Sequence, residues 1–189
     1  MRPEHMPWIV VGGASLIALI WFLGTYNGLV RLRQHVKESW SDIDVQLKRR
    51  YDLIPNLVET VRGYAKHERD LFERVVQLRT RASANHGPVA SQEADERPLV
   101  AALRQVLALA EGYPDLKANR GFVALQEELA DTEDRIAAAR RFFNANVRDY
   151  ASRRESFPSN LVAGLFRFGP LEYWSVEEAT HRERPDVVL

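Results

Sequence analysis

The feature that most restricts the fold of this chain is an uncharged apolar run near its N-terminus. Residues 8–24 read WIVVGGASLIALIWFLG, without a charged residue or a proline. Extension to Tyr26 gives 19 residues, close to the roughly 20 that a helix needs to cross the hydrocarbon core of a membrane. Trp8 stands at one end and Trp21 near the other, as in the aromatic belts of membrane interfaces. The run predicts a transmembrane helix at 8–26, with the lipid bilayer as its partner.

The residues before and after the run bear on whether it is retained. A cleaved signal peptide has a similar apolar segment, but Glu4 interrupts the basic leader that such a peptide needs. No Ala-x-Ala cleavage site follows the run. The pattern therefore favours an anchor that stays in place after a short flank at residues 1–7.

The flanking charges predict an orientation. Arg2 is the single basic side chain before the run, whereas several follow it: Arg31, Arg33, Lys37 and the cluster at 48–50. Because the more basic side of a membrane helix faces the cytoplasm, we expect the N-terminus outside and the following domain in the cytoplasm.

After the anchor, apolar residues recur at spacings of three and four, which is typical of an amphipathic helix. This stripe consists of Leu29, Leu32, Val36, Trp40, Ile43, Leu47, Tyr51 and Ile54. A second stripe follows Pro55: Leu57, Val58, Val61, Tyr64, Leu71, Phe72, Val75 and Leu78. Either Pro55 begins a second helix capped by Asp52, or one helix is kinked there. We favour the hairpin, because two helices of similar length can bury each other's stripes.

The rest of the chain predicts two more helices. Residues 82–98 are small and polar, with Gly87, Pro88 and Pro98, and are predicted to be a loop. A third helix carries Leu99, Leu103, Val106, Leu107 and Ala110 and stops at Gly112 and Pro114. A fourth runs from about 121 to about 154 with the stripe Phe122, Leu125, Leu129, Ile136, Phe143, Val147 and Tyr150.

These elements predict an all-α fold. We expect an antiparallel up-and-down four-helix bundle at 27–174, preceded by one N-terminal transmembrane helix. Residues 175–189 are predicted to be a polar C-terminal tail. An apolar segment before this tail either packs over one end of the bundle or faces the membrane or a partner. Its candidate interaction surface is Leu161, Leu165, Phe166, Phe168, Tyr173 and Trp174.

Composition excludes several classes of function. Lys and Arg together number 26, as do Asp and Glu, so no overall basic charge favours a nucleic-acid partner. The chain has no cysteine, which excludes thiol catalysis and thiolate metal sites. Phosphate-binding and nucleophile-elbow motifs are also missing from the sequence. We predict no catalytic residue, no cofactor and no small-molecule substrate.

Metal binding is not predicted either. A di-iron bundle needs a Glu-x-x-His pair on each of two helices, and the one such pair, Glu178 with His181, lies in the tail. The acidic residues of the fourth helix are predicted to be a solvated face: Glu127, Glu128, Asp131, Glu133 and Asp134. The basic cluster at 48–50 is predicted to be a solvated helix end or a counter-charge to the helix C-terminus, in preference to a lipid or phosphate site.

Five segments of the chain resemble the signature of the LemA family. They are YNGLV at 26–30, WSDIDVQLKRRYDLIPNLV at 40–58, GYAKHE at 63–68, YPDLKA at 113–118 and FPSN at 157–160. The resemblance runs from the anchor to about Tyr173 and implies a bacterial membrane protein with one N-terminal span and a helical bundle. It implies no established enzymatic activity, cofactor or catalytic residue. Together with the anchor it predicts a single-pass protein of the bacterial inner membrane.

Three functions are compatible with these features. The first is a membrane-tethered adaptor or scaffold that binds other membrane or envelope proteins. The second is a structural membrane protein that self-assembles into a homo-oligomer. The third, which we rank last, is a metal-dependent enzyme using carboxylates and histidines of the bundle.

Overall fold

The computed structural model describes residues 6–175, and their side chains from residue 10 onward. Over this range the chain is helical and contains no strand, which confirms the all-α prediction. Its helices are α1 (Met6–Tyr64), α2 (Arg69–Ala84), α3 (Val89–Ala110), α4 (Pro114–Lys117), α5 (Arg120–Glu155) and α6 (Ser159–Leu165). The Glu178 and His181 pair and the predicted tail beyond Ser175 lie outside the described residues, as does the flank up to residue 5.

The predicted hairpin at Pro55 is wrong, because α1 continues through this proline. Proline has no N–H, so the carbonyl of Tyr51, four residues earlier, loses its helical donor. Arg79 of α2 supplies a replacement, since its Nε donates to the Tyr51 carbonyl oxygen at 2.9 Å. The helix ends at Tyr64 instead, and residues 65–68 connect it to α2.

The predicted loop at 82–98 is also mostly wrong. Only residues 85–88 connect α2 to α3, and the segment 89–98 is helical with Pro98 inside it. This segment is rich in alanine, glutamine and glutamate, which favour helices and outweigh the single proline. The third and fourth helices occur as predicted, with α3 ending at Ala110 and α5 spanning the fourth stripe.

The described residues divide into two compact units. Unit 1 contains residues 6–40 and Phe142–Leu171, and unit 2 contains Ser41–Arg141 and residues 172–175. Helices α1 and α5 each contribute to both units. The predicted boundary between anchor and bundle, at residue 26, falls inside α1 and inside unit 1.

Unit 2 has an apolar core built from the predicted stripes. In this unit α2 packs against α3. The core side chains come from five helices and include Ile43, Leu47, Ile54, Leu57, Val61, Phe72, Val75, Leu99, Val106, Leu116, Phe122, Leu129 and Ile136. Burial of these side chains removes apolar surface from water, which is the main driving force for packing the helices.

In unit 1, α5 runs antiparallel to α1. The rings of Trp40 and Phe143 lie 5.6 Å apart, and Asn146 donates to the carbonyl of His35, one turn earlier in α1. Buried side chains of this unit include Leu29, Val36, Val147, Tyr150 and Val162. The unit therefore has its own core, which begins near the end of the predicted span.

The first part of α1 has the properties of a membrane helix. Among the described residues, α1 is the one helix long and apolar enough to cross a membrane. Its apolar side chains stand exposed all around this segment: Val10, Val11, Leu16, Ile17, Leu19, Ile20 and Leu23. Such exposure is unfavourable in water and is normal in contact with lipid.

Candidate functional site

Unit 2 contains a buried ion-pair cluster centred on Arg50. This side chain is 0% exposed, and its guanidinium pairs with Glu96 of α3 and, at 2.7 Å, with Glu133 of α5. The prediction of a solvated basic cluster at 48–50 is therefore wrong for Arg50. Its neighbour Arg49 is exposed and makes only a surface pair with Glu128 at 3.0 Å. The reason is helical phase: Arg50 lies on the core side of α1, one position from the exposed side.

The buried carboxylate of Glu96 has three donors. The hydroxyl of Tyr51 donates to it, as does Arg50, and Gln92 Nε2 donates at 2.9 Å. Gln92 Nε2 also lies 3.1 Å from the carbonyl of Ala82, the last turn of α2. These bonds join α1, α2 and α3 and satisfy the buried Glu96 carboxylate, whereas the buried Nε of Arg50 has no hydrogen-bond partner among the described residues.

The electrostatics of this cluster oppose proton transfer near neutral pH. Burial by itself lowers the pKa of Arg50, but Glu96 and Glu133 outweigh it and raise that pKa above its ordinary value. Burial, reinforced by Glu96, raises the pKa of Tyr51. Both groups therefore keep their protons, and neither can act as a base. The arrangement orients helices and offers no nucleophile with a neighbouring base.

The segment 172–175 is attached to α3 by hydrogen bonds. The N–H of Ala90, in the first turn of α3, donates to Glu172, where a carboxylate also favours the helix dipole. At the next turn Ser175 donates to Glu93 through its hydroxyl and, at 3.0 Å, through its backbone N–H. Burial raises the pKa of Glu93, but the bonds from Ser175 and Arg97 outweigh it and leave that pKa below its ordinary value.

Trp174 is buried between these two attachments. It is 2% exposed, and the guanidinium of Arg140 lies over its ring at 4.6 Å. A cavity of about 180 Å³ lies beside it, lined by side chains that include Glu93, Glu133 and Arg140. As a buried side chain, Trp174 is unavailable as part of an interaction surface, contrary to the prediction.

The other predicted surface residues are divided between exposed and buried positions. Leu161, Leu165 and Phe166 are exposed in unit 1, and Tyr173 is exposed in unit 2. Phe168 is buried instead: its ring lies 5.8 Å from that of Tyr26 and 5.1 Å from the guanidinium of Arg33. The sequence shows these residues to be apolar, but only packing decides which of them remain uncovered. An interaction role for the exposed ones stays a prediction.

Phe157 is an exposed apolar residue that the predicted surface omitted. Its side chain is 80% exposed at the junction between α5 and α6. The signal available in the sequence was its residue type, a large apolar side chain directly before Pro158 in the connection between the two helices.

No metal site is formed by the described residues. Within 6–175, no three His, Asp or Glu side chains group closely enough to hold an ion. His35 is exposed and pairs with Glu38 at 3.2 Å. Of the acidic residues on α5, all but Glu133 are exposed, and Glu133 is held by Arg50.

The fold and these sites define a class: over residues 6–175, an all-helical protein whose N-terminal helix is long and apolar enough to cross a membrane, and whose mainly apolar core contains a buried ion-pair cluster. A family model described as the LemA family matches residues 39–188. The chain belongs to the LemA family.

Three relatives give the range of this similarity. Protein LemA of Metamycoplasma hominis is 26% identical over 88% of this chain and 74% of its own length. Magnetosome protein MamQ of Magnetospirillum gryphiswaldense is 25% identical over 87% of this chain and 71% of its own. Magnetosome protein MamQ 2 of Paramagnetospirillum magneticum is 24% identical over 94% of this chain and 74% of its own length.

Proposed function

We propose that this chain is a membrane-anchored, non-catalytic adaptor or scaffold of the bacterial cell envelope. The observation that carries the proposal is the continuity of α1. One helix, Met6–Tyr64, contains both the exposed apolar segment and the buried stripe of the following domain, without a linker. The chain thereby joins the apolar segment to a helical domain through unbroken secondary structure, which would hold a bound partner close to the membrane.

The domain itself is proposed to be a four-helix bundle formed by α1, α2, α3 and α5. Contacts inside unit 2 support this arrangement. Arg50 links α1 to α3 and α5, and Arg79 links α2 to α1. The helical domain is proposed to face the cytoplasm from the inner membrane, because basic residues follow the span.

The non-catalytic part of the proposal rests on the state of the buried polar groups. Glu96 is occupied by three donors, and Arg50 and Tyr51 hold their protons. A catalytic bundle would leave ligands or a base free to meet a substrate. Here the same residue types are used to hold helices together.

In-cell crosslinking of the full chain, followed by capture from native membranes and sizing in detergent, tests the proposal. An adaptor should crosslink reproducibly to particular envelope proteins. A control variant with residues 8–26 replaced by an unrelated single span should keep those crosslinks if the helical domain selects the partner. Crosslinks to its own copies alone, in a uniform large assembly, would favour the self-assembling alternative. Stoichiometric metal or substrate turnover in the purified protein would overturn the non-catalytic assignment.

A further inference from the structure

We infer that α6 is a second lipid contact of this protein, in addition to the span. Its exposed apolar face would lie in the headgroup region of the leaflet where the apolar segment of α1 ends. The inference rests on the proposed membrane anchoring and assigns the lipid bilayer as the occupant of the surface formed by Phe157, Leu161, Leu165 and Phe166, which we call the α6 surface.

The position of the α6 surface follows from two ring contacts. The ring of Phe166 lies 4.7 Å from that of Tyr26 and 5.8 Å from that of Phe22. Tyr26 is the last residue of the predicted span, and Phe22 lies about one helical turn before it. Thr25, between them, is buried, whereas the apolar side chains up to Leu23 are largely exposed. The α6 surface therefore begins at the level along α1 where lipid contact ends.

The two faces of α6 differ sharply in burial. Leu161 and Leu165, one helical turn apart, are 62% and 68% exposed. Val162 and Ala163, on the other face, are buried in unit 1. An amphipathic element whose apolar face is uncovered is typical of helices that lie in a membrane interface.

The charges of unit 1 suit a membrane surface. Residues 25–40 and 142–171 contain seven Lys or Arg and three Asp or Glu, although the whole chain has no net charge. One of these cations, Arg167, follows α6 with a φ of 54°, at the left-handed position that ends a helix and that glycine usually occupies. Arg33 packs over Phe168 in the same unit. Cations next to an inserted apolar face favour anionic lipid headgroups.

Continuity with the span is the reason to assign lipid. A protein partner or a second copy would have to cover a surface whose Phe166 contacts α1 at the level where α1 leaves the bilayer. The bilayer is already at that level in the anchored chain, so covering this face with lipid needs no further component. This makes lipid contact a property of the single chain, measurable at one copy per membrane particle.

The chain has no cysteine, so single cysteines can be introduced and labelled selectively. The full-length variants L161C and L165C would carry an environment-sensitive fluorophore, in nanodiscs that hold one copy each. Quenching by lipids that carry a bromine or spin label reports lipid contact, with the label near the headgroup for positions 161, 165 and 142 and near the end of the acyl chain for a position inside the span. F142C is the matched control, because Phe142 is an exposed aromatic residue of the same unit. It adjoins Phe143, which contacts Trp40, about 21 Å along α1 from Tyr26.

We expect lipid quenching at positions 161 and 165, a gain in quenching when anionic lipid is added, and none at position 142. I17C, within the span, is the test of anchoring itself. Quenching at 17 without quenching at 161 and 165 overturns the inference about α6 but supports the proposed membrane anchoring. Absence of quenching at 17 overturns the anchoring on which it rests. Shielding at 161 that requires a second copy or an added protein, and is insensitive to lipid quenchers, also overturns it.

Discussion

Arg79 Nε donates to the backbone carbonyl of Tyr51 at 2.9 Å, and this carbonyl is the one that Pro55 leaves without its helical donor. A side chain of α2 thus replaces the backbone donor that is missing inside α1. The contact explains how a helix of 59 residues passes a proline without ending.

Replacing Arg79 by Met should therefore destabilise unit 2. The expected loss is about 1 kcal/mol in the free energy of unfolding, because a carbonyl loses its donor at a half-exposed site. Chemical unfolding of the full chain in mild detergent, followed by circular dichroism, measures it. In a Pro55→Ala background the backbone N–H returns, so the same replacement should cost clearly less. Equal losses in both backgrounds would show that Arg79 does not act through this carbonyl.

The neighbours Arg50 and Arg49 should respond very differently to the same substitution. Arg50→Met leaves Glu96 as an uncompensated buried charge, and breaking such a pair costs about 3–5 kcal/mol. Arg49→Met removes only an exposed pair with Glu128, worth about 0–1 kcal/mol. Chemical unfolding curves of the two variants measure this difference in the free energy of unfolding. Similar midpoints would contradict the buried cluster.

The adjacent residues Trp174 and Tyr173 provide a second matched pair. Trp174→Ala removes a buried ring that Arg140 covers, and the expected cost is about 3–5 kcal/mol. Tyr173→Ala changes an exposed side chain and should stay within about 0.5 kcal/mol of the parent. Thermal unfolding of both variants is the measurement. A stable Trp174 variant would mean that segment 172–175 does not pack on α3.

Acid should weaken the attachment of this segment to α3. The folded-state pKa of Glu93 is lowered from its ordinary value of 4.5, so ionised Glu93 stabilises the fold above that pH. The contribution is lost as the pH falls through the lowered pKa. Unfolding free energies between about pH 7 and about pH 3 should fall less steeply for Glu93→Gln than for the parent. The exposed Glu111→Gln is the control, and a parental slope for both variants would contradict the prediction.

Protease accessibility tests the proposed orientation. Lys66, in the exposed connection between α1 and α2, is a natural trypsin site. With the helical domain in the cytoplasm, trypsin added to intact spheroplasts should leave the chain whole and should cut it after permeabilisation. Lys66→Gln identifies the fragment that arises at this site. Cutting without permeabilisation would reverse the orientation.

Much of the architecture could be predicted from periodicity. The stripes from Leu29 to Ile54 and from Phe122 to Tyr150 are largely buried as predicted, because helix amphipathicity is a local property of spacing. The helix ends were less predictable. Pro55 and Pro98 are strong local signals for a break, yet both lie within helices. At Pro55, the donor that makes continuation possible comes from Arg79, 24 positions away in the sequence and invisible to any local pattern.

The features of the candidate sites can be separated in the same way, into those set by local sequence and those set by tertiary contacts. The amino-acid sequence alone determined the apolar span, the helical phase of each stripe and the family, since these depend on residue type and spacing. The tertiary structure decided which of two adjacent arginines became buried, whether Glu96 met its donors, and whether Trp174 or Leu165 was left uncovered. Each of these outcomes depends on a partner from another helix. Burial and hydrogen bonding are properties of residues that folding brings together from distant parts of the sequence, so local residue type and spacing do not reveal them.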